Sequence, residues 1–167
     1  MFGIAVRPFC WLGSIMSDTG TTYATWKGTA DGRLPKNKRN KLLVEADAYG
    51  LTLNDLAATC EEFGVAPCDL LNELSVAVAE GYLAGALTYE FCDGAMNGLI
   101  AAIVDVGMTN DMPQPAFSLF QAFDQGEWER HDDPPETDAI EKYVKSLVVQ
   151  IVREFQGGSR YRPEANL

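Results

Sequence analysis

Beyond Pro35, apolar residues recur every three or four positions along most of the chain, the spacing that places them on one face of an α-helix. Glycine and proline divide this pattern into six segments, which predict helices at residues 36–49, 52–63, 67–81, 88–106, 115–125 and 138–155. No segment alternates apolar and polar residues in the way of a half-buried strand. The pattern therefore predicts an all-α, single-domain bundle of about six helices with short connections.

The second of these helices has a strong start signal. Thr52 is a good N-cap residue and Asp55 follows three positions later, so the two side chains can close a capping box. Leu51 and Leu56 occupy the two positions of a hydrophobic staple. Gly64 then supplies a stop signal, because glycine readily adopts the left-handed conformation that ends many helices.

The fourth predicted helix, residues 88–106, has the composition of a buried central helix, because apolar residues cover most of its surface. Gly94 and Gly98 are four positions apart and therefore share one of its faces. With no side chain at either position, a neighbouring segment can approach this face closely. We therefore expect a tight contact at the two glycines.

The last helix, residues 138–155, is the clearest amphipathic segment of the chain. Asp138 and Glu141 predict a start that resembles a capping box, and two consecutive glycines at 157 and 158 predict the end. The side chains expected to face the core are Tyr143, Leu147 and Ile151. On this prediction, Leu147→Ala lowers the free energy of unfolding by about 2–5 kcal/mol.

The N-terminal part of the chain lacks the helical pattern. Residues 1–35 contain Gly, Thr, Pro and aromatic residues without sustained periodicity, and we expect an irregular segment that packs against the helices. Met16 offers an alternative start, in which case residues 1–15 are an upstream extension. The helical domain is then predicted at residues 36–157, and a polar tail at residues 158–167.

Charge is strongly segregated along the chain. The 167 residues carry a net charge of −11, and residues 42–141 contain 20 acidic residues against a single basic one, Arg130. One cation cannot neutralise such a block through ion pairs on helix surfaces. The acidic surface must therefore face water, a cationic partner or the chain's own basic residues. We expect the basic stretch at residues 33–41 to pair with this surface.

Composition and motifs exclude several classes of protein. With 47% hydrophobic residues the chain is not disordered, and the four cysteines show no C-x-x-C spacing. His131 is the only histidine, which leaves little from which to build a zinc site or an activated nucleophile, and no phosphate-binding glycine loop is present. Residues 94–104, a charge-free stretch, have about half the length of a bilayer span. We expect a cytoplasmic protein that does not bind membranes.

Residues 51–78 form two predicted helices joined by a short turn, an arrangement typical of a helix-turn-helix. A DNA-binding unit of this kind presents cations or amides to the groove and to the phosphates. Here the second helix presents Asp69, Glu73 and Glu80, and residues 42–128 contain no Lys or Arg, so DNA phosphates would repel it. We therefore predict a structural helical hairpin and no sequence-specific DNA binding.

Two pairs of helical carboxylates indicate a metal site as an alternative to a solvated acidic surface. Asp69 and Glu73 are four residues apart and Glu90 and Asp93 are three apart, so each pair shares a helix face. Two such pairs on adjacent helices can hold Mg²⁺ between them and a phosphorylated substrate. This pattern resembles that of the all-α nucleoside-triphosphate pyrophosphohydrolases, and the resemblance implies a metal-dependent phosphohydrolase. The spacing of the first pair departs from that family, and no Lys or Arg lies nearby in the sequence to meet the phosphates.

A segment at residues 122–133 gathers acidic residues, the only histidine and a tryptophan around a helix end and a proline loop. Exposed loops on a rigid body frequently carry function. A tryptophan can anchor a partner and carboxylates accept bidentate arginine, which favours a protein-binding edge over catalysis. The residues predicted to contact the partner are Asp124, Glu127, Trp128, Glu129, His131, Asp132 and Asp133.

Together these observations favour one function and leave two alternatives. The favoured function is that of a non-catalytic, acidic helical protein, without a cofactor, that recognises a cationic protein; an immunity or inhibitor protein against a basic toxin is an example. One alternative is the Mg²⁺-dependent phosphohydrolase that uses the four helical carboxylates. The other is a structural or regulatory module that forms a homodimer through an apolar helix face.

Overall fold

A computed structural model describes residues 34–128 and 130–158 of the chain, and no strand occurs among them. The helices are α1 (Lys36–Tyr49), α2 (Leu53–Phe63), α3 (Pro67–Leu83), α4 (Tyr89–Thr109), α5 (Ala116–Asp124) and α6 (Lys145–Gly158). A 3₁₀ turn, Gln125–Glu127, follows α5, and a π-helical turn, Ile140–Val144, leads into α6. The predicted all-α fold of six helices is confirmed. The predicted N-terminal extension and nearly all of the predicted polar tail lie outside the described residues.

Local signals in the sequence fix the ends of α2. The Thr52 hydroxyl accepts a hydrogen bond from the Asp55 N–H, and the Asp55 carboxylate accepts one from the Thr52 N–H at 2.8 Å, so the predicted capping box is confirmed. Leu51 and Leu56 are both buried, as the staple requires. Gly64 ends the helix with φ +63°, a left-handed conformation that favours glycine.

The central element of the bundle is α4, which packs against α1, α2, α3 and α5. Its buried side chains are Cys92, Ala95, Met96, Leu99, Ala102, Ile103 and Val106. Within the described ranges it is also the one helix that is long and apolar enough to cross a membrane, a test that the core helix of a globular protein passes as well. In this fold its apolar residues supply the middle of the core.

The predicted close contact on α4 is present and involves the C-terminal end of α1. Gly98 lies against the backbone of Ala46, so closely that a Cβ built on Gly98 would overlap the Ala46 carbonyl. The Leu51 N–H, just beyond α1, donates a hydrogen bond to the Gly98 carbonyl at 2.8 Å. Four residues earlier, Gly94 faces the flexible carboxylate of Asp47 instead of backbone atoms. The two glycines therefore fix the approach of α1 to α4.

Three of the four basic residues of α1 pair with acidic residues of the protein itself, as expected for this stretch. The pairs are Lys38–Glu62 at 3.0 Å, Lys41–Glu45 at 3.7 Å and Arg39–Glu73 at 3.9 Å. Two of these pairs join α1 to α2 and to α3. Three cations of α1 therefore neutralise one carboxylate each on α1, α2 and α3.

The register of the last helix differs from the prediction. Asp138 caps it as expected, because its carboxylate accepts the N–H groups of Ile140 and Glu141 at 2.9 and 3.1 Å. The core, however, receives Val144, Val148 and Val152. The predicted core residue Leu147 is 36% exposed, and Tyr143 and Ile151 are only partly buried. A π turn accommodates one additional residue, so a buried face projected through it on regular α-helical geometry is displaced by one position.

We expect this register to be visible in stability measurements. Val148→Ala should lower the free energy of unfolding by about 2 kcal/mol, because it removes two methyl groups from a fully buried site. Leu147→Ala should change it by about 0.5 kcal/mol or less, the range of a surface substitution. Urea denaturation of the two variants tests this directly. A larger loss for Leu147→Ala than for Val148→Ala would contradict the register described here.

Candidate functional site

The four carboxylates predicted to bind a metal do not come together. Glu73 is buried and accepts the Leu34 N–H at 2.9 Å, whereas Asp69 and Glu90 are exposed. Among the described residues, no group of three or more His, Cys, Asp or Glu side chains is arranged to hold a metal ion. The four-carboxylate metal site therefore stays a prediction that the arrangement of these residues does not support. Helical spacing places two carboxylates on one face of a helix, but tertiary packing decides what that face meets.

The fourth of these carboxylates, Asp93, belongs to a different cluster. It lies on α4, where the carboxylates of Glu127 in the 3₁₀ turn and of Asp124 at the end of α5 are near enough to raise its pKa. Trp128, the next residue after the turn, donates its indole N–H to the Asp124 carboxylate at 3.2 Å. We call Asp93, Asp124, Glu127 and Trp128 the acidic edge.

Tyr89, in the first turn of α4, holds the acidic edge in place. Its hydroxyl donates a hydrogen bond to the Phe123 carbonyl at 3.0 Å, and the two rings are neighbours with centroids 6.5 Å apart. Gly126 of the 3₁₀ turn lies directly against the Tyr89 phenol, so a Cβ at this position would overlap it. The end of α5 and the turn are thereby fixed against α4, and Glu127 is brought to Asp93.

The carboxylates of the acidic edge form no ion pair within the described part of the protein. Burial is the main reason why the pKa of Asp93 is raised to about 6. The neighbouring carboxyl groups of Glu127 and Asp124 raise it further. Burial and the same three carboxylates raise the pKa of Tyr89 as well. The ion pairs formed among the described residues involve α1 and the segment from Asp133 to Lys145, and none reaches these carboxylates. The edge therefore has a strong preference for a positive charge from outside this part of the protein.

Trp128 combines an apolar surface with a fixed orientation. It is 61% exposed, although indole groups are usually more fully buried in folded proteins. Its hydrogen bond to Asp124 restricts the ring, so little conformational freedom remains to be lost when a partner covers it. Such an exposed, oriented tryptophan beside carboxylates can contact both an apolar group and a cation.

The remaining residues predicted to bind a partner have different environments. His131 and Asp132 are exposed in the loop after Trp128, and Glu129 lies outside the described residues. Partner binding by Asp133 stays a prediction, but this carboxylate also accepts hydrogen bonds from Lys142 and from the Tyr143 hydroxyl, both at 2.7 Å. These bonds hold the pKa of Asp133 below its usual value. Asp133 therefore makes contacts within the protein.

Arg130, the single cation of the acidic block, is also used internally. Its guanidinium lies over the Tyr143 ring, 3.5 Å from the centroid, and donates a hydrogen bond to the Gln125 side chain at 2.7 Å. With Lys142 on the same ring at 4.9 Å, these contacts fasten the loop to the π turn. The loop therefore has a defined conformation beside the acidic edge, and Arg130 does not form an ion pair with the carboxylates of that edge.

The dimerisation alternative concerns another surface of α4. Val104 and Met108, one helical turn apart near the end of the helix, are 37% and 79% exposed. Asp105 beside them is the nearest charged group on that part of the helix. Homodimer formation through these two side chains stays a prediction.

The chain matches no known family model, no curated protein and no solved structure at a significant level. The functional argument therefore depends on the geometry of the acidic edge. The sequence identified Asp124, Glu127 and Trp128 as one group because they are adjacent in the chain. It did not connect them with Asp93, which is about 30 residues earlier, because only the packing of α4 against α5 brings the two segments together.

Proposed function

We propose that this protein binds a cationic protein partner through the acidic edge and the adjoining exposed residues His131 and Asp132. The single observation that carries the proposal is an exposed, oriented Trp128 among carboxylates that have no counter-charge in the described part of the protein. An inhibitor of a basic enzyme, such as an immunity protein against a nuclease toxin, is the kind of function that matches this arrangement.

The charge distribution supports fast association. Residues 42–128 contain no Lys or Arg, so this long part of the chain adds only negative charge to the field of the edge. Complementary fields of this kind raise association rates by tenfold to a thousandfold over those of neutral surfaces, and salt screens them over about 8–10 Å. Trp128 has a separate role, since a buried aromatic anchor acts mainly by slowing dissociation.

A photo-crosslinking amino acid at position 128 is the first step toward a partner. The full-length protein carrying it is irradiated in lysate, and a captured protein counts as a partner only when its capture depends on the carboxylates of the edge. Association of the purified pair is then followed by stopped flow at increasing ionic strength. We expect the association rate of the wild-type protein to fall steeply with salt.

The decisive variant removes three charges of the binding surface, with Asp124→Asn, Glu127→Gln and Asp132→Asn combined. Its association rate should be about tenfold lower at low salt, with unchanged helical content. The matched control removes three exposed charges elsewhere, with Glu61→Gln, Asp105→Asn and Asp111→Asn combined, and should retain most of the rate. Equal rates for both triple variants would show that only net charge matters and would contradict a defined binding edge.

Trp128→Ala should act on the other rate constant. Loss of an aromatic anchor at the centre of an interface costs about 2 kcal/mol, which corresponds to dissociation about thirtyfold faster. The association rate should change little, because the carboxylates stay in place. Surface plasmon resonance with the partner immobilised measures both constants, and an unchanged dissociation rate would place Trp128 outside the interface.

A further inference from the structure

Arg130 contacts both elements that border the loop after the acidic edge. On one side its guanidinium lies over the Tyr143 ring of the π turn, 3.5 Å from the centroid. On the other side its Nη2 donates a hydrogen bond to the Gln125 side chain of the 3₁₀ turn at 2.7 Å. Its Nη1 lies 3.5 Å from two carbonyl oxygens, those of Gln125 and of Trp128. One side chain therefore bridges the π turn and the backbone that carries Trp128.

The backbone at Trp128 requires such a contact, because the chain leaves helical geometry there. Trp128 is extended, with φ −96° and ψ 116°. Carbonyl groups at the end of a helical segment lack an intrahelical partner, and a guanidinium can donate to them and oppose the helix dipole. The Tyr89 hydroxyl fixes only the earlier part of this region, through the Phe123 carbonyl. Trp128 itself is held by its indole bond to Asp124 and by Arg130.

Tyr143 is a firm support for this guanidinium. Its hydroxyl donates a hydrogen bond to Asp133 at 2.7 Å, and Lys142 donates one to the same carboxylate at 2.7 Å. The Asp133 N–H in turn donates to the Arg130 carbonyl at 3.0 Å, so the loop is closed on itself and on the π turn. A planar guanidinium can stack on an aromatic ring and still donate from its edge, which an ammonium group cannot do.

We propose that Arg130 is the positioning residue of the acidic edge: its guanidinium, stacked on Tyr143, holds the 3₁₀ turn and Trp128 in the orientation that a partner meets. The role in recognition rests on the proposed function, whereas the ordering of Trp128 does not. Arg130 is the one cation among residues 42–141, so on charge alone its removal should favour a cationic partner. Positioning predicts the opposite sign, because a loosened tryptophan must be ordered again when the partner binds.

The ordering role is measured by ¹⁵N relaxation on the full-length protein without a partner. We expect backbone order parameters of about 0.85 at Glu127 and Trp128 in the wild-type protein, and values below about 0.6 in Arg130→Gln. Arg130→Lys should lower them nearly as far, because one ammonium group cannot replace a stacked guanidinium that donates to several oxygens. Full order in Arg130→Lys would show that only the charge matters and would overturn the proposal.

Three further substitutions separate this role from general loosening of the loop. Lys142→Gln removes the other cation on the Tyr143 ring, 4.9 Å from the centroid, whose hydrogen bond goes to Asp133, so Trp128 should stay ordered. Tyr143→Phe keeps the ring beneath the guanidinium and should also preserve the order. Tyr143→Leu should release Trp128 as Arg130→Gln does. Order that is lost in Lys142→Gln, or retained in Tyr143→Leu, would contradict the positioning role.

The recognition role is measured with an octaarginine peptide at about 150 mM salt, followed through the NMR signal of the Trp128 indole N–H. Arg130→Gln should bind this peptide about threefold more weakly than the wild-type protein does, although its surface has lost a positive charge. Equal or tighter binding would overturn the role in recognition. No response of Trp128 in the wild-type protein would count against the proposed function and this role together, whereas the relaxation data alone decide whether Arg130 orders Trp128.

Discussion

Gly98→Ala is expected to destabilise the protein by roughly 3–5 kcal/mol, a large part of the stability of a typical domain. The added methyl group would overlap the carbonyl of Ala46, which is backbone and cannot turn aside. Relief requires α1 to move away from α4, and that movement breaks the hydrogen bond from the Leu51 N–H to the Gly98 carbonyl and opens the core around Leu42 and Leu43. Thermal and urea denaturation measure the loss.

Gly94→Ala is the matched control for this substitution. It places the same methyl group four residues earlier on the same helix, where the neighbouring atom is the end of the Asp47 side chain. That carboxylate can rotate, and alanine favours a helix interior over glycine by about 1 kcal/mol. The variant should therefore lie within about 1 kcal/mol of the wild-type protein. Similar losses for both variants would mean that helix geometry in general, and not the contact with Ala46, limits the substitution.

The sequence predicted those parts of the fold that depend on local signals. The bounds of α1 agree with the prediction, and those of α2 agree to within one residue, because a glycine stop, the Thr52–Asp55 capping box and the left-handed Gly64 act within a few residues of the chain. The contact at Gly94 and Gly98 was also predictable, because two glycines on one face of a buried helix leave room for a neighbouring segment to approach closely. Signals of this kind need no knowledge of the partner helix.

Features that depend on tertiary packing were not predictable in the same way. The apolar residues of the last helix permit two faces, and the π turn, held by contacts of Tyr143 with Asp133 and Arg130, selects the one that contains Val148. In the same way, the helical spacing of Asp93 with Glu90 indicated a metal pair, whereas packing places Asp93 beside Glu127. Helical periodicity restricts which residues share a face, but the neighbouring elements decide the function of that face.

The role of Glu73 also depends on tertiary packing, and we expect its replacement to have a large effect on stability. Its Oε1 atom accepts the Leu34 N–H at 2.9 Å and lies 3.9 Å from the Arg39 guanidinium, so it ties the start of α1 to α3. Glu73→Ala would leave a buried N–H without this acceptor and would remove the counter-charge of Arg39, whose Nε already has no hydrogen-bond partner among the described residues. We expect a loss of about 2–4 kcal/mol in the free energy of unfolding.

Asp69→Ala serves as the control for Glu73→Ala, because it removes the other carboxylate of the same predicted metal pair from an exposed position one turn earlier on α3. Partial burial raises the pKa of Asp69, so its charge adds little to the stability of the fold, and the change should be about 1 kcal/mol or less. Millimolar Mg²⁺ separates a structural role from metal binding, since a metal held in the folded state raises its stability by mass action. With Glu73 acting as an anchor for α1, Mg²⁺ should not stabilise the wild-type protein relative to either variant. A stabilisation of the wild-type protein by Mg²⁺ that both variants lose would restore the metal hypothesis.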